Sequence, residues 1–294
     1  MQLNELFPNV KFDEPMKNHI SFKVGGKADI FFEPDNVRDF IEFIRYVKEN
    51  NIPYIIMGNG TNMLVSDDGI RGAVIKLGDK ISSIEVIDDF IIAQCGAKLS
   101  EVAKIAAENS LTGFEFASGI PGSVGGAIAM NAGAYGSDVS CVLISSEAYN
   151  CETGEIEKLT LKDHEFGYRM SIYRKSPRRV VLSASFSLSR GDRESIDAYM
   201  EDLMKRRREK QPLEYPSAGS VFKRPPGYYT AKLIEEAGLK GARVGGAQVS
   251  EKHAGFIINT GDATAADVKA LIDIITEKIR AEHGIELERE LIYL

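Results

Sequence analysis

Two glycine-rich segments carry the clearest chemical signal in this chain. The first, residues 58–62, reads Gly-Asn-Gly-Thr-Asn, and the second extends from Ser118 to Gly136. Glycine lacks a Cβ and tolerates positive φ values, so a ligand can lie directly against the backbone amides of such segments. Successive N–H groups that point into a concavity bind anions, above all a pyrophosphate. Two such loops therefore predict a long phosphate-bearing ligand such as a dinucleotide, and the alternative is a pair of tight turns.

The first segment fits neither of the two common nucleotide-binding motifs. Gly58 and Gly60 have the first spacing of a Rossmann fingerprint, but Met63 stands where the third glycine belongs. No Gly-Lys-Ser/Thr follows, so the segment is not a P-loop either. The sequence instead favours a pyrophosphate site that is built from two separated loops between strands.

The pattern of apolar residues predicts the elements that must position these loops. Ile20–Val24 alternates apolar and polar residues, as a half-buried strand does, and residues 54–57 form a short buried strand that runs directly into the first loop. Asp35 or Asn36 can cap a helix that begins at Val37 and ends near Asn50. Hairpins and helices occur together, which indicates an α+β protein. Further strands are predicted at residues 73–77, 84–87, 91–95, 142–149, 155–159, 180–188, 253–259 and 286–294, and further helices at 99–106, 193–209, 230–237 and 264–283.

Composition excludes several classes of function. A chain of 294 residues with 44% hydrophobic content is long enough for two domains with substantial cores. The formal net charge of −7 argues against a general nucleic-acid-binding protein. We expect a cytoplasmic protein, because neither a signal peptide nor a membrane span is evident. The 3 cysteines are odd in number and the 4 histidines are scattered, so we expect free thiols and no metal site.

Six motifs, with the two glycine loops counted as one, resemble one enzyme family when taken in order. Residues 54–65 and 114–136 are similar to the flavin-binding loops of the vanillyl-alcohol-oxidase (PCMH) type. More specifically, almost the whole chain resembles the UDP-N-acetylenolpyruvoylglucosamine reductase family. The motifs that carry this resemblance are residues 18–26, the two glycine loops, 166–171, 216–225, 253–259 and 287–291.

The resemblance implies a fold and a cofactor. It implies a two-lobed FAD-binding region of the vanillyl-alcohol-oxidase type at residues 1–205, with subdomains at about 1–75 and 76–205. A smaller C-terminal α+β substrate domain would occupy residues 206–294. The residues expected to bind FAD are those of the two loops: Gly58, Asn59, Gly60, Thr61, Asn62, Ser118, Gly119, Ile120, Pro121, Gly122, Gly125, Gly126, Ala127, Asn131 and Gly133.

The implied reaction is reduction of an enolpyruvyl ether of a UDP-sugar, with NADPH as co-substrate, in peptidoglycan precursor synthesis. We expect a monomer that needs no protein partner. Hydride added to the β-carbon leaves an enolate, which requires an acid and charge-stabilising donors. The family motif implies Ser220 as the acid, although spacing alone indicates a turn serine bonded to its own backbone. It also implies Arg169 and Glu290 as the groups that stabilise the enolate.

Glu290 and the basic run at residues 205–210 each have a plainer interpretation. A final strand would put Glu286, Glu288 and Glu290 on one face, so alternation does not select among them, and the face could be merely solvated. Cations at a helix C-terminus are favourable with the helix dipole in any protein.

The resemblance gives the basic residues a ligand as well. It implies that Arg207 and Lys210 bind the UDP diphosphate, and that Lys223 contacts the substrate. The chain also resembles the shorter branch of the family, which lacks an inserted tyrosine loop. Tyr135 and Tyr173 are the candidates for closing the site in place of that tyrosine.

Two other functions are compatible with the same loops. A flavin oxidase or dehydrogenase of the same fold would share residues 58–62 and 118–136 but would not require Arg169, Ser220 and Glu290. A binding module without redox activity would bind no flavin at all.

Overall fold

Helices and strands alternate along the chain in a computed structural model that describes residues 3–176 and 178–294. The α-helices are α1 (Leu3–Leu6), α2 (Val37–Glu49), α3 (Leu99–Glu108), α4 (Val124–Met130), α5 (Ile172–Lys175), α6 (Arg193–Lys210), α7 (Thr230–Glu236) and α8 (Ala265–His283). Short 3-10 helices occur at Met16–Asn18, Asp79–Ile81, Glu115–Ala117, Val139–Cys141 and Leu161–His164.

The strands are mostly short. They are β1 (Lys11–Pro15), β2 (Lys27–Phe32), β3 (Tyr54–Met57), β4 (Met63–Leu64), β5 (Ile70–Lys76), β6 (Ile84–Ile87), β7 (Phe90–Gln94), β8 (Leu111–Thr112), β9 (Gly133–Ala134), β10 (Ser137–Asp138), β11 (Leu143–Asn150), β12 (Ile156–Thr160), β13 (Arg179–Ser187), β14 (Ser189–Arg190), β15 (Ser217–Ser220), β16 (Arg243–Val244), β17 (Ala247–Val249), β18 (Phe256–Asn259) and β19 (Ile292–Tyr293).

The chain divides into two compact units, neither of which is continuous in sequence. Unit 1 contains the residues up to Val10, Phe32–Asn59 and Val74–Arg207, whereas unit 2 contains Lys11–Phe31, Gly60–Ala73 and Arg208–Leu294. A four-stranded sheet has the order β1-β2-β5-β3. The assignment of residues 1–205 to FAD and 206–294 to substrate concerns ligands, and it stays a prediction.

Unit 1 is built on an antiparallel five-stranded sheet with the order β12-β11-β13-β7-β6. A hairpin turn at Asp88 joins β6 to β7, and Asp88 has a φ of 53°, which this residue type tolerates in turns. Helix α4 packs against the central strand β13. Phe114 and Phe186 meet edge to face at 5.0 Å beneath the sheet, and both are fully buried.

Unit 2 combines the antiparallel sheet β15-β18-β17-β16 with α8, which packs on β16 and β17. Thr264 and Asp267 form a capping box at the start of α8, and Gly284 ends the helix with a φ of 66°. The side chain of Asp67 accepts the N–H groups of Ala265 and Ala266, at 2.9 Å each. These donors belong to the first helical turn, where they have no partner within the helix, so Asp67 stabilises its start.

The predicted strand at Ile20–Val24 is wrong. Ile20, Phe22 and Val24 are buried as the alternation indicated, but the segment is a series of turns. Lys23 has a φ of 58°, and its N–H donates to the Ile20 carbonyl. Buried and exposed side chains therefore alternate here without a strand. An irregular backbone can also turn alternate side chains inward, so this pattern does not require a strand.

The predicted final strand at residues 286–294 is also wrong for most of its length. Only Ile292–Tyr293 forms a strand, which pairs in parallel with β4. In the segment before it, Arg289 forms an isolated β-bridge with Phe222 of the same chain. Likewise, the predicted strand at 253–259 begins only at Phe256, because His253 lies in the preceding turn.

Candidate functional site

The second glycine segment is fastened at its middle to the residues that lead into α3. The Leu99 N–H donates to the Gly122 carbonyl at 3.0 Å, and the Val124 N–H donates to the Ala97 carbonyl at 2.8 Å. Ser123, which is 2% exposed, then begins α4 as its N-cap, because its hydroxyl accepts a backbone N–H from the first turn. The loop is therefore held on both sides of Ser123.

The first glycine segment meets the second at this serine. A Cβ added to Gly58 would lie 2.2 Å from the Ser123 Oγ, far inside contact distance. The side-chain amide of Asn59 also donates to the Pro121 carbonyl at 3.4 Å. The structure thus brings Gly58 and Asn59 next to the middle of the second segment, and glycine at position 58 is required by the lack of space.

Backbone donors stay open in the second segment. In the part of the chain that the structure describes, the N–H groups of Gly119, Gly122 and Ser123 donate to no protein acceptor. Gly119 and Gly122 are partly exposed, so a ligand can reach this part of the loop, whereas Ser123 is buried. These three amides therefore suit the oxygens of a phosphate group.

The other predicted cofactor residues of this segment use their amides within the protein. Gly125 donates to the Cys95 carbonyl at 2.8 Å, and a Cβ there would lie 3.1 Å from the Cys95 Cβ, so α4 packs closely at this point. Ser118, Ile120, Gly126 and Ala127 likewise donate to neighbouring protein oxygens.

The last part of the first segment belongs to unit 2. Gly60 has a φ of 61°, and its carbonyl accepts the Ser21 N–H at 3.1 Å. Thr61 follows, and the side-chain amide of Asn62 donates to the Glu290 carbonyl at 3.2 Å. Asn62 therefore contacts the segment that carries one of the three predicted catalytic side chains.

Arg169 is anchored to the end of the second glycine segment. Its Nη2 donates to the Gly133 carbonyl at 3.1 Å, and its Nη1 donates to the Asn131 carbonyl at 3.5 Å. Asn131 ends α4 with a φ of 41°, and its side-chain amide donates to the Gly167 carbonyl at 3.2 Å. Arg169 itself has a φ of 55°, a conformation that a non-glycine residue adopts only when its surroundings hold it.

A buried polar network lies beside the segment that carries Arg169. The Ser146 hydroxyl is 2.8 Å from the His164 Nε2 and 2.6 Å from the Tyr173 hydroxyl. The His164 Nδ1 must carry a proton, because it lies 2.7 Å from the Thr160 carbonyl, which only accepts. Nε2 of the neutral ring then accepts from Ser146, and Ser146 accepts from Tyr173.

The protonation state of this network follows from burial. His164 is fully buried, and burial lowers the pKa of its ring. Burial likewise raises the pKa of Tyr173 to about 12. Sequence analysis missed the network, because 18 residues separate Ser146 from His164 and no spacing rule joins them.

Ser220 lies at an irregularity of the unit 2 sheet. Gly219 has a φ of +76°, and the pairing of β15 with β18 shifts register between Ser217 and Ser220. A shifted register of this kind re-aims the side chains beside it. Gly219 therefore adopts a φ that favours glycine, within a bulged strand.

Glu290 and Lys223 lie on the segments next to Ser220. The Glu290 N–H donates to the Val221 carbonyl, and the Lys223 N–H donates to the Glu288 carbonyl, both at 2.9 Å. Lys223 also forms an ion pair with the Glu288 side chain at 2.5 Å. Since residues 286–291 are not a strand, strand alternation does not group the three glutamates. The backbone bonds place Glu290 against Val221, the residue after Ser220, and Glu288 against Lys223.

The basic residues of α6 have different surroundings. Lys210 is exposed at the last position of the helix. Arg207 is partly buried in unit 1, where its side chain lies against Gly119 of the second glycine segment. Sequence analysis predicted the cation but gave no indication of this neighbour.

Comparisons with known proteins decide the family. The chain is 52% identical over 283 residues to the UDP-N-acetylenolpyruvoylglucosamine reductase of Clostridium kluyveri, covering 96% of this chain and 92% of that protein. It is 52% identical over 279 residues to the enzyme of the same name from Caldanaerobacter subterraneus, covering 95% and 91%. The chain belongs to the UDP-N-acetylenolpyruvoylglucosamine reductase family. The resemblance found in the sequence is confirmed.

Family models and a solved structure agree with this membership. Residues 211–294 match the C-terminal domain of UDP-N-acetylenolpyruvoylglucosamine reductase, and residues 28–160 match an FAD binding domain. The crystal structure of the Thermus caldophilus reductase has a TM-score of 0.82 and 31% identity, with 97% of each chain covered. The α+β fold class is confirmed, as is the prediction of an oxidoreductase that binds FAD.

The donors of the second glycine segment fit the cofactor of this reductase family. FAD contains a pyrophosphate, and the open amides of Gly119, Gly122 and Ser123 offer what its oxygens accept. The tight packing at Gly58 fits a loop that must bring backbone, rather than side chain, to a ligand.

Of the two tyrosines considered for closing the site, Tyr173 is excluded. It is 6% exposed and its hydroxyl is bonded within the buried network, so it is fixed in the core. Tyr135 is 43% exposed, and its hydroxyl donates to the Leu203 carbonyl of α6 at 2.9 Å. Among the described residues, no helix is both long and apolar enough to cross a bilayer.

Proposed function

We propose that this enzyme uses NADPH to reduce UDP-N-acetylglucosamine enolpyruvate to UDP-N-acetylmuramate, a step of peptidoglycan precursor synthesis in the cytoplasm. What supports the proposal is membership of the reductase family together with one observation. The backbone bond between Glu290 and Val221 fastens the segment that carries this carboxylate to the residue after Ser220, next to a glycine bulge.

The bound flavin would supply a hydride to the β-carbon of the enolpyruvyl group. The pair of electrons displaced from the C=C bond then lies on the α-carbon and its carboxylate, as an enolate. We assign Ser220 as the donor that gives its hydroxyl proton to the α-carbon. A serine is a weak acid in water, but an enolate carbon is a strong enough base to accept its proton.

Arg169 and Glu290 would manage the charge that develops. A guanidinium is always protonated and can hold a carboxylate with two hydrogen bonds, so Arg169 would stabilise the enolate form. Its anchoring to the Gly133 carbonyl would limit the reorganisation needed during the reaction. Glu290 would polarise the substrate carboxylate or return a proton to Ser220 after each turnover.

Cationic side chains would bind the diphosphate of the substrate. Lys210 is exposed and available for this role. Lys223 lies two residues after Val221, which accepts the Glu290 N–H, and its ammonium group is paired with the Glu288 side chain. An incoming carboxylate or phosphate would compete with Glu288 for Lys223. Arg207, unlike Lys210, is partly buried and lies against Gly119.

Titration of the protein-bound flavin with UDP-N-acetylglucosamine enolpyruvate tests the substrate. We expect a saturable change in the visible spectrum of the flavin, and UDP-N-acetylglucosamine without the enolpyruvyl group should give a smaller one. A yellow protein whose spectrum does not respond would favour a flavin oxidase or dehydrogenase with another substrate. A colourless protein that gains no flavin on reconstitution would instead support a binding module.

A further inference from the structure

Arg207 lies in a place that only a glycine neighbour allows. A Cβ added to Gly119 would be 2.9 Å from the Arg207 Cδ and 3.6 Å from both its Nε and its Nη1. The aliphatic stem and the start of the guanidinium therefore rest directly on the backbone of the second glycine segment. Both residues belong to unit 1.

Among the residues that the structure describes, none is a counter-ion for Arg207. Within residues 3–176 and 178–294, its guanidinium takes part in no ion pair and no hydrogen bond. The neighbouring Arg206 contrasts with it, because Arg206 is solvent-exposed and pairs with Asp202 at 2.6 Å. Tyr135 interacts electrostatically with Arg207. The Tyr135 hydroxyl itself donates to the Leu203 carbonyl.

A partly buried and uncompensated guanidinium is unfavourable unless an anion joins it. Withdrawal from water penalises the charged form, and an arginine does not escape this cost by losing its proton. In agreement, burial lowers the pKa of Arg207 from its ordinary value. A bound anion would compensate the charge of this side chain.

The neighbouring loop offers the complementary half of an anion site. The open N–H groups of Gly119, Gly122 and Ser123 lie on the same segment that Arg207 covers. Arg207 contacts the first of these residues, Gly119, and backbone donors on a segment that a guanidinium touches are the usual components of a phosphate site. The cation and the amides are independent observations, and both indicate the same ligand chemistry.

We propose that Arg207 binds the pyrophosphate of FAD on the second glycine segment, and not the diphosphate of the UDP-sugar. This inference rests on the proposed function in requiring that the chain binds FAD. It revises the role that the family resemblance implies for Arg207, and it leaves Lys210 and Lys223 as the diphosphate contacts. Both ligands contain a pyrophosphate, so the experiment must distinguish the two sources.

Flavin affinity separates them without reference to turnover. The full-length chain is freed of flavin, and its dissociation constants for FAD and for riboflavin, which has no phosphate, are measured by flavin fluorescence. Arg207→Ala should raise the dissociation constant for FAD about 10- to 100-fold, the usual effect of losing a charge-assisted hydrogen bond. The riboflavin constant should change less than about 2-fold, because no phosphate contact is lost.

Matched variants control for folding and for general charge. Arg206→Ala removes a cation one position away and should leave FAD binding unchanged, since Arg206 is exposed and paired with Asp202. Arg207→Lys keeps the charge and the stem, so it should bind FAD with intermediate affinity even if Arg207→Ala folds poorly. Gly119→Ala should weaken FAD binding in parallel, because its Cβ displaces the arginine stem.

The outcomes are distinct. Unchanged FAD affinity in Arg207→Ala and Arg207→Lys, with a weakened affinity for the UDP-sugar substrate, would overturn the proposal and return Arg207 to the substrate diphosphate. An equal loss of FAD and riboflavin affinity would also overturn it, since the effect would then not involve phosphate. If the unaltered chain bound no FAD, the proposed function itself would fail.

Discussion

The Glu290 N–H donates to the Val221 carbonyl at 2.9 Å, which fixes a carboxylate-bearing residue beside the residue that follows Ser220. A neighbouring bond from the Lys223 N–H to the Glu288 carbonyl keeps the two segments in register. The two candidate catalytic groups of unit 2 are therefore held by main-chain bonds, so substitution of either side chain should leave the other in position.

Removal of the Ser220 hydroxyl should separate the two halves of the reaction. In Ser220→Ala we expect reduction of the flavin by NADPH at the normal rate, because that step needs no serine proton. Turnover of the enolpyruvyl substrate should fall by about 10²–10⁴, the usual contribution of a positioned acid. Stopped-flow absorbance measures the first step and steady-state NADPH oxidation the second.

Ser217→Ala is the matched control for this variant. Ser217 begins the same strand. Its backbone carbonyl accepts the Ser21 hydroxyl at 2.6 Å, and this bond does not involve the Ser217 side chain. This variant should therefore turn over normally. Near-normal turnover in Ser220→Ala as well would remove Ser220 from the mechanism.

Arg169→Lys should impair the enzyme although it conserves the charge. Lysine cannot form the two-pronged contact with a carboxylate, nor reach the Gly133 and Asn131 carbonyls in the same way. We expect kcat to fall by about 10²–10³ with flavin reduction unaffected. Lys175→Ala, which removes an exposed ion pair with Glu165, is the control and should retain full activity. An unchanged kcat in Arg169→Lys would contradict the assigned role.

Gly58→Ala should weaken FAD binding by a steric route. The new Cβ would lie 2.2 Å from the Ser123 Oγ, so the loops must separate or the N-cap of α4 must be displaced. We expect the dissociation constant for FAD to rise at least about 10-fold, which corresponds to about 1.4 kcal/mol. Equilibrium dialysis of the flavin measures this.

Gly167→Ala provides the comparison for Gly58→Ala. At Gly167 a Cβ would meet its nearest neighbour, the Met170 Cβ, at an ordinary 3.8 Å. This variant should bind FAD like the unaltered chain. Equal affinities in all three proteins would mean that the contact between the two loops does not support the flavin site.

Much of the fold could be predicted from the sequence where one apolar period continued for a whole element. Helix α2 has its N-cap at Asn36, one of the two residues predicted to cap it, and it begins at the predicted Val37. The strand at Ile20–Val24 could not be predicted correctly, because alternation reports which side chains are buried and not the φ of Lys23. Strand β1 was missed because its residues are largely exposed and polar.

The candidate site divides in the same way. The glycine loops are local in sequence, so their chemistry could be predicted. The contact of Arg207 with Gly119 joins residues 88 positions apart in sequence, and it depends on how α6 packs. Long-range contacts of this kind leave no spacing pattern, so the structure was needed to find them.

Stability should fall as the solution is acidified below pH 6.5. Burial holds the pKa of folded His164 below its ordinary value of 6.5, so the unfolded chain takes up a proton there while the folded chain does not. The stabilisation is fully present above pH 6.5 and is lost as the pH falls toward the folded pKa. Each such histidine contributes at most about 1.4 kcal/mol per pH unit. Urea unfolding at pH 7.5 and 5.5, at fixed FAD concentration, measures the loss.

Two variants apportion this loss. Burial also lowers the pKa of His253, whose Nδ1 accepts the Gly255 N–H at 3.1 Å, so both residues contribute in the unaltered chain. His164→Gln and His253→Gln should each remove part of the pH dependence. His164→Gln should also be less stable at pH 7.5, because Ser146 loses its acceptor. A pH dependence identical to that of the unaltered chain in His164→Gln would contradict the assignment of a neutral ring.

The most direct test of the account is NADPH oxidation by the FAD-loaded protein with and without UDP-N-acetylglucosamine enolpyruvate. The account predicts slow oxidation of NADPH alone, and rapid stoichiometric oxidation when the substrate is present, with UDP-N-acetylmuramate as the product. Oxidation that is equally fast without the substrate, or that yields no UDP-N-acetylmuramate, would contradict the account.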